Sequence, residues 1–387
     1  GQIDDNNNGI SGIEKSFDEK LKLIKEPLKL TVDVDIQFLI REELKKFNLI
    51  FRSKGSAVVL MDVNSGEVIS MVSYPDFNLN KRKKINDINY INRATKAVYE
   101  LGSVFKTFTV AAGLDAGLIE PETKFLNLEK KLRCGKNTIT EYDNEIPSDL
   151  TVEEILIRSG NIGSVRIGRK LEIERLKSFL EKIGILHQIN FDIEEVGEPI
   201  PFKWGKCKLA TVSFGHGITT TPLQATSVYA SIANGGKLIT PSLIQDRKTT
   251  ELKNIISRDT SKTINGILRK VVSSKQGTAS LADIDGYYVG GKTGTSENYS
   301  DKNDSLNTFI SVFPTNKPNY ALLVMLENPK INKDLIYDYR GFKVKAPRNT
   351  SGWNSVYIAG KIIKKIGPIL AIKNKEFTNQ YVAEKFN

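Results

Sequence analysis

The sequence predicts an α+β fold in which one antiparallel sheet is built from both ends of the chain. Two predicted strands come early, a long and mainly helical stretch follows, and three predicted strands and one helix come last. This order favours a five-stranded antiparallel sheet flanked by helices, with an all-helical subdomain inserted between its two parts. Any chemistry is then expected at the seam between the sheet and the insertion.

The first half of the chain shows clear helical and strand periodicities. Apolar residues at helical spacing predict two helices, and β-rich runs on either side of an Asn-Ser-Gly-Glu turn predict a hairpin. The helices are predicted at 33–47 and 103–115, and the strands at 56–63 and 68–74. A polar loop with a Lys-Arg-Lys-Lys cluster at 81–84 separates the hairpin from the second helix, which Gly117 ends.

The second half is predicted to be helical before it returns to strands. An N-cap pattern begins at Thr151, and Thr221-Pro222 places proline at the first position of a helix. Residues 116–147 and 190–217 are predicted to be irregular. Helices are predicted from 151 to about 158 and at 162–169, 173–183, 221–233, 259–272 and 351–366, and strands at 287–292, 308–313 and 320–326.

Composition excludes several classes of protein. The 387 residues carry a net charge of +11, but the lysines are spread along the whole chain, which favours a solvated basic surface over a nucleic-acid site. Cys134 and Cys207 do not make a disulfide framework or a zinc site, and a single bridge between them is left open. With two histidines and no Gly-x-Ser-x-Gly or HExxH motif, neither a Ser-His-Asp triad nor a zinc protease is favoured. No apolar run approaches the ~20 residues of a membrane span.

Ser103 and Lys106 form the only Ser-x-x-Lys pattern in the chain. On a helix this spacing places both side chains on one face, one turn apart. The apolar residues that follow predict a buried helix, and burial lowers the pKa of a lysine, in documented cases to about 5–6. We therefore predict that Ser103 is a nucleophile and that Lys106 accepts its proton. The alternative is a helix cap at Ser103 with Lys106 extended to solvent.

Ser159 and Asn161 form a Ser-x-Asn segment between two predicted helices. The same pattern at 296–298 and 305–307 lies in a predicted polar loop, so the segment held between helices is preferred. We expect the Ser159 hydroxyl to relay a proton and the Asn161 amide to hold a substrate peptide bond. The alternative is a simple helix-end cap.

A Gly-Gly-Lys-Thr-Gly-Thr-Ser run predicts an edge strand that lines a cleft. Gly294 has no side chain, so a substrate backbone is expected to lie against it. Lys292 is expected to supply a fixed positive charge, and Thr293 and Thr295 offer hydroxyls to a carboxylate. The backbone N–H groups of Ser103 and Thr295 are predicted to form an oxyanion hole, where one donor is worth about a hundred- to a thousandfold in rate.

The same run fits a phosphate-binding loop, because residues 286–293 match Gly-x4-Gly-Lys-Thr and 322–327 resemble the accompanying acidic strand. A phosphate loop must open a helix, whose N-terminus binds the phosphates. Residues 294–304 are instead rich in Gly, Ser, Asn and Asp and are predicted to be a loop, while 287–289 are predicted to be strand. A nucleotide-binding protein is therefore the remote alternative.

Ser-x-x-Lys at 103, Ser-x-Asn at 159 and Lys-Thr-Gly-Thr at 292, in that order, resemble the motifs of the class B penicillin-binding proteins. The resemblance covers almost the whole chain and is most like the division-specific septal enzymes. One departure is Leu101, where the family usually has proline. Further matches lie at 12–18, 30–37, 92–93, 215–217, 221–224, 277–279 and 286–287.

The resemblance implies a serine β-lactamase/transpeptidase-like fold, with residues 1–30 as the tail of a non-catalytic pedestal module and 31–387 as the penicillin-binding transpeptidase domain. It implies a D,D-transpeptidase without cofactor or metal, in which Ser103 is acylated by peptidoglycan stem peptides ending in D-Ala-D-Ala and by β-lactams. Ser159, Lys106 and Lys292 would move protons, and Asn161, Thr293, Gly294 and Thr295 would bind substrate. Which lysine is the base in each step is left open.

The resemblance also implies a location and partners. The complete protein is expected to carry an N-terminal segment, absent here, that anchors it once in the cytoplasmic membrane with this domain outside the cytoplasm. A glycosyltransferase and other divisome proteins are the expected partners, and nucleic acid is not. Two alternatives stay open: a β-lactamase or D,D-carboxypeptidase of the same fold, and a β-lactam sensor or inactive scaffold.

Overall fold

One five-stranded antiparallel sheet organises the structure, a computed structural model that describes residues 1–23, 25–78, 81, 87, 89, 91–245, 253–298 and 301–373. Its strands are β1 (Gly55–Asp62), β2 (Val68–Tyr74), β3 (Gly290–Asn298), β4 (Asp301–Phe313) and β5 (Tyr320–Glu327). The spatial order is β2-β1-β5-β4-β3, so both chain ends contribute and β3 is an edge strand. The predicted sheet and the edge position of the Lys-Thr-Gly-Thr run are confirmed.

Helices surround this sheet. They are α1 (Gly12–Ser16), α2 (Asp18–Leu23), α3 (Val34–Ile50), α4 (Lys106–Asp115), α5 (Val152–Ile157), α6 (Asn161–Lys182), α7 (Lys206–Val212), α8 (Pro222–Ala233), α9 (Arg258–Ser273) and α10 (Ser355–Lys373). Strands β1 and β5 are buried along nearly their whole length, so helices cover both faces of the sheet. Helices α3 and α10 pack on each other, whereas α8 contacts β1 and β5. Within the described residues, no helix combines the length and the apolar character that a membrane crossing requires.

Local capping explains where several helices begin. The Asp33 carboxylate accepts hydrogen bonds from the N–H groups of Asp35 and Ile36 at the start of α3. Thr151 and Glu154 form a reciprocal capping box at α5. The Thr221 hydroxyl caps α8, whose first residue is the proline expected there.

Three sequence predictions need correction. Residues 287–289 are irregular, and Tyr288 has a left-handed φ of 46°, so β3 begins only at Gly290. The segment predicted as a loop from 294 belongs to β3, and its partner β4 begins at Asp301, because cross-strand pairing overrides the low strand propensity of Gly, Ser and Asn. Helix α7 lies within the predicted irregular stretch 190–217. The predicted helices at 162–169 and 173–183 are confirmed, since α6 consists of two helical pieces separated by the non-helical residue Glu172.

Small two-stranded pairs were also missed, because each is too short to show a periodicity. The largest in the helical insertion joins Lys131–Cys134 to Asn137–Thr140. The others are Gln2–Ile3 with Gly9–Ser11, Lys124–Phe125 with Leu150–Thr151, and Ile336–Tyr339 with Phe342–Lys345.

Residues 1–30 were predicted to be the tail of a separate module. Helices α1 and α2 have no buried residues, and the backbone N–H of Gly12 donates to Glu195 at 2.7 Å. The division at residue 30 stays a prediction.

The predicted basic loop at 81–84 lies, apart from Lys81, outside the described residues.

A disulfide joins Cys134 to Cys207, across 73 residues, and so ties the 131–140 hairpin to α7. A crosslink over a loop of this size restricts the unfolded chain, and losing it typically costs about 2–5 kcal/mol. We expect Cys134→Ser with Cys207→Ser to lower the free energy of unfolding in urea by this order. Unchanged stability of the double variant, compared with oxidised wild type, would contradict the expectation.

Candidate active site

Ser103 lies on a 3₁₀ turn, Gly102–Phe105, that leads directly into α4. The turn is held against the edge strand: a Cβ at Gly102, where φ is +62°, would stand 2.7 Å from the Thr295 carbonyl oxygen and 3.4 Å from its nitrogen. A side chain there would therefore separate Ser103 from β3. The φ of Leu101 is −77°, close to the value proline imposes, so the departure from the family's proline leaves this approach unchanged.

Lys106 is fully buried at the first position of α4. Its Nζ donates to the Ser159 carbonyl oxygen and to Asn161 Oδ1 at 2.7 Å, and lies 3.1 Å from Ser159 Oγ. A neutral amine has two N–H donors and one lone pair. If the two donors bind the Ser159 carbonyl oxygen and Asn161 Oδ1, the lone pair can accept a proton from a hydroxyl. The predicted direct transfer from Ser103 to Lys106 stays a prediction.

Lys292 approaches the same hydroxyl from β3. It is also fully buried, and its Nζ lies 2.8 Å from Ser159 Oγ and 3.0 Å from the Thr293 carbonyl oxygen. Ser159 Oγ therefore stands between two lysine nitrogens, one on the helical side and one on the sheet. These two contacts bring the three motifs together. Along the chain, Lys106 is 53 residues and Lys292 is 133 residues from Ser159.

Burial dominates the electrostatics of the two lysines. It lowers the pKa of Lys106 to about 7, and the negative charge of Glu141 partly opposes this effect. Burial, together with the positive charge of Lys106, also holds the pKa of Lys292 well below its usual value. Two neighbouring buried ammonium groups disfavour each other, and the role of Lys292 as a fixed positive charge stays a prediction.

Ser159 itself has a left-handed backbone, with φ at 59°. Such a conformation costs a residue other than glycine roughly 1–2 kcal/mol. It turns the Ser159 carbonyl toward Lys106, which donates to it. Strain of this kind persists only where the surroundings fix it, which is typical of functional sites.

Asn161 is the first residue of α6, and its position depends on a residue that the sequence reasoning missed. The preceding Gly160 has no side chain to cap the helix. Instead, the Glu141 carboxylate accepts from the N–H groups of Asn161 at 2.6 Å and Ile162 at 2.9 Å. Asn161 Nδ2 also donates to the Thr140 carbonyl oxygen at 2.8 Å. No motif marks Glu141, because it meets α6 only through the folded hairpin.

The threonines of β3 have partners that sequence reasoning also missed. Thr293 Oγ1 lies 2.8 Å from Thr278 Oγ1, and Thr295 Oγ1 lies 3.2 Å from Ser351 Oγ. These contacts orient the two hydroxyls. Thr278 lies in the Gly-Thr-Ala segment at 277–279, which was noted in the sequence without a role.

The packing around Gly294 shows a further reason for a glycine that sequence reasoning missed. A Cβ there would stand 2.1 Å from the Leu101 carbonyl oxygen. The missing side chain therefore makes room for the chain that carries Ser103. The contact of a substrate backbone with Gly294 stays a prediction.

A second polar contact holds the nucleophile segment. His216 Nδ1 lies 3.0 Å from Glu100 Oε2, and Ser296 Oγ donates to the Glu100 carbonyl oxygen at 2.7 Å. Burial opposes ionisation of Glu100, but bonds from His216 and the Gly217 N–H outweigh it and lower its pKa. A Cβ at Gly215 would collide with the Gly102 carbonyl oxygen, which explains the glycine beside His216.

The geometry supports acyl transfer and argues against phosphate binding. Lys292 lies inside a strand and does not precede a helix, so the remote alternative of a phosphate-binding loop does not fit the structure. Among the described residues, no group of three His, Cys, Asp or Glu side chains is placed to hold a metal ion.

Comparison with known proteins identifies the family of this chain. The family model for the penicillin binding protein transpeptidase domain matches residues 56–350. The probable peptidoglycan D,D-transpeptidase FtsI of Caulobacter vibrioides is 31% identical over 97% of this chain and 65% of its own length. The stage V sporulation protein D of Bacillus subtilis is 30% identical over 78% of this chain and 50% of its own length. The chain thus spans about half to two thirds of these relatives.

Solved structures show the same fold. Penicillin binding protein 3 of Mycobacterium tuberculosis, complexed with aztreonam, superposes with a TM-score of 0.81 at 23% identity, over 95% of this chain and 87% of that one. The transpeptidase domain of Burkholderia pseudomallei penicillin-binding protein 3 gives 0.74 at 24% identity, over 88% and 96%. The match to the family model across most of the chain, together with the FtsI relative, establishes that this chain belongs to the penicillin-binding protein transpeptidase family.

Proposed function

We propose that this chain is the catalytic domain of a peptidoglycan D,D-transpeptidase that crosslinks stem peptides during septal wall synthesis. The observation that carries the proposal is the pair of buried lysine nitrogens on either side of Ser159 Oγ, next to the segment that bears Ser103. Buried amines with lowered pKa values can exchange protons with hydroxyls near neutral pH.

The first step is acylation. Ser103 Oγ attacks the carbonyl carbon between two D-alanines, and its proton passes to the neutral Lys106 amine. The backbone N–H groups of Ser103 and Thr295 stabilise the oxyanion. As the tetrahedral intermediate collapses, the C–N bond breaks, and the leaving D-alanine nitrogen takes a proton through the Ser159 hydroxyl. The departing amino acid and the acyl-enzyme together account for every atom of the substrate.

Substrate binding sets the charge of Lys292. The terminal carboxylate is expected to bind at the Thr293 and Thr295 hydroxyls, and its negative charge would raise the pKa of Lys292. The bound carboxylate would thereby favour the protonated form of Lys292. Asn161 is expected to contact the peptide bond on the opposite side of the groove.

The second step transfers the acyl group to an amine of another stem peptide, which regenerates Ser103. Hydrolysis requires an activated water instead. Glu141 is the acid whose charge acts on Lys106, and both of its oxygens are engaged by N–H groups of α6. This carboxylate serves the first turn of α6, and we propose transfer to an amine in preference to hydrolysis, with long-lived β-lactam adducts.

Labelling with fluorescent penicillin tests the proposal. We expect a covalent adduct on Ser103, located by peptide mass spectrometry, that persists for many minutes and is absent from Ser103→Ala. Rapid release of hydrolysed drug would indicate a hydrolase. A folded wild type that forms no adduct would indicate an inactive scaffold.

The location and partners belong to the same proposal. The relatives are longer than this chain, and a segment before residue 1 would anchor the domain once in the cytoplasmic membrane, facing the periplasm. The basic net charge of +11 suits an anionic wall or membrane surface. A glycosyltransferase and other divisome proteins are the proposed partners. Fractionation of cells that express the full-length protein tests this, and recovery in the cytosol would refute it.

A further inference from the structure

We propose that Glu141 is a positioning residue for acyl transfer, which fixes Asn161 and through it the amine of Lys106. The inference rests on the proposed function, because it assigns Glu141 a part in that reaction. Its first support is geometric. One carboxylate holds the N–H groups of Asn161 and Ile162, so it fixes the first turn of α6, where Asn161 Oδ1 accepts from Lys106.

The segment that carries Glu141 is itself held at several points. The disulfide at Cys134 ties its hairpin to α7. The Tyr142 hydroxyl donates to the Arg158 carbonyl oxygen at 2.9 Å, and Asp143 pairs with Arg348 at 2.9 Å. Arg348 lies three residues before Ser351, the partner of Thr295. These contacts hold the segment that carries the carboxylate, so Glu141 is supported by residues outside the Ser-x-Asn motif it serves.

The charge of Glu141 supplies a second role. The charged groups that act on Lys106 are Lys292 on β3 and Glu141 on the hairpin. Burial alone lowers the pKa of Lys106, and the carboxylate raises it back, leaving it at about 7. Helix α6 also favours a negative charge at its N-terminus, where the Glu141 carboxylate accepts from two N–H groups.

The decisive experiment compares Glu141→Gln, Glu141→Asp and the control Glu145→Gln, an exposed acid four residues further along the same segment. The readout is the rate constant for acylation by fluorescent penicillin between pH 5.5 and 9. Acylation should rise with pH as Lys106 loses its proton. For Glu141→Gln we expect the plateau rate to fall about tenfold, because small misplacements in an active site are costly.

The pH midpoint separates positioning from simple capping. Loss of the negative charge should move the midpoint of Glu141→Gln at least about half a unit lower. Glu141→Asp keeps the charge and should keep the wild-type midpoint, and Glu145→Gln should match wild type in both respects. A uniform fall in rate without a midpoint shift would show that Glu141 is only a helix cap, and an unchanged rate and midpoint would overturn the proposal entirely.

A second measurement does not depend on the reaction. The ¹³Cε signal of Lys106, assigned by its loss in Lys106→Met, reports its pKa directly. Glu141→Gln should lower this pKa, and an unchanged or raised value would refute the electrostatic part. If wild type forms no penicillin adduct, the proposed function fails, while this titration still decides whether Glu141 controls Lys106.

Discussion

Replacing Lys106 by methionine is expected to slow acylation of Ser103 by about a thousandfold, because general base catalysis contributes typically 10²–10⁴-fold. Methionine keeps the length of the buried side chain but cannot accept a proton. The measurement is the second-order rate constant for acylation by benzylpenicillin. Lys270→Met is the matched control, since Lys270 forms an exposed ion pair with Glu153 away from the groove. A Lys106→Met rate within about threefold of wild type would remove Lys106 from the mechanism.

The same variant should be at least as stable as wild type, with a dependence on pH. The folded pKa of Lys106 is about 7, whereas an unfolded lysine has about 10.4. Between pH 7 and about 10.4 the unfolded chain therefore binds one more proton than the folded chain. This difference lowers the free energy of unfolding by roughly 4–5 kcal/mol below pH 7 and has no effect above about pH 10.5. Methionine removes this cost but also the hydrogen bonds to Ser159 and Asn161, so the net gain is smaller.

The advantage of Lys106→Met should therefore be largest below pH 7 and shrink as the pH rises toward 10. Urea denaturation of both proteins at pH 6 and pH 9 measures it. A gap that grows with pH would mean that Lys106 is stabilised as a cation in the folded protein, and the proposed neutral base would be wrong. A stability gain together with lost activity is the signature of a group kept for chemistry.

Elements whose signal is local could be predicted from the sequence. The cap at Asp33, the capping box at Thr151 and the proline at 222 mark the starts of α3, α5 and α8, because each uses residues within three positions of the helix start. The five strands of the sheet were all identified, but β3 was placed too early. Tyr287 and Tyr288 have the composition of a strand, yet Tyr288 adopts a left-handed turn that composition does not reveal.

The site residues also fall into those with a local sequence pattern and those without one. Ser103, Lys106, Ser159 and Lys292 stand out as motifs, and the structure brings the last three into contact. Glu141, Thr278 and Ser351 have no local pattern, since each meets its partner only after distant segments pack. The contact of Gly294 with the Leu101 carbonyl oxygen could not be predicted for the same reason, because this carbonyl comes from another part of the chain. The charge state of Lys292 depends on burial, which a motif does not describe.

Ser159→Ala is expected to slow acylation about a hundredfold, because it removes the hydroxyl that both lysine nitrogens contact. The Ser159 carbonyl, which accepts from Lys106, is kept. The measurement is again the rate constant for benzylpenicillin. A loss of less than about threefold would show that protons reach the leaving group by another route.

Ser159→Gly separates the hydroxyl from the backbone that carries it. At a φ of 59° alanine is strained, whereas glycine adopts this conformation freely. We therefore expect the free energy of unfolding of Ser159→Gly to be about 1 kcal/mol higher than that of Ser159→Ala. Both variants lack the hydroxyl and should lose the same factor in rate despite their different stabilities. If the glycine variant instead recovers acylation in proportion to its stability, Ser159 acts by shaping the turn. If Ser159→Ala and Ser159→Gly have equal acylation rates but different stabilities, the hydroxyl matters for the reaction. Proton relay between the two lysine amines is then the reason that a strained serine is kept at this position.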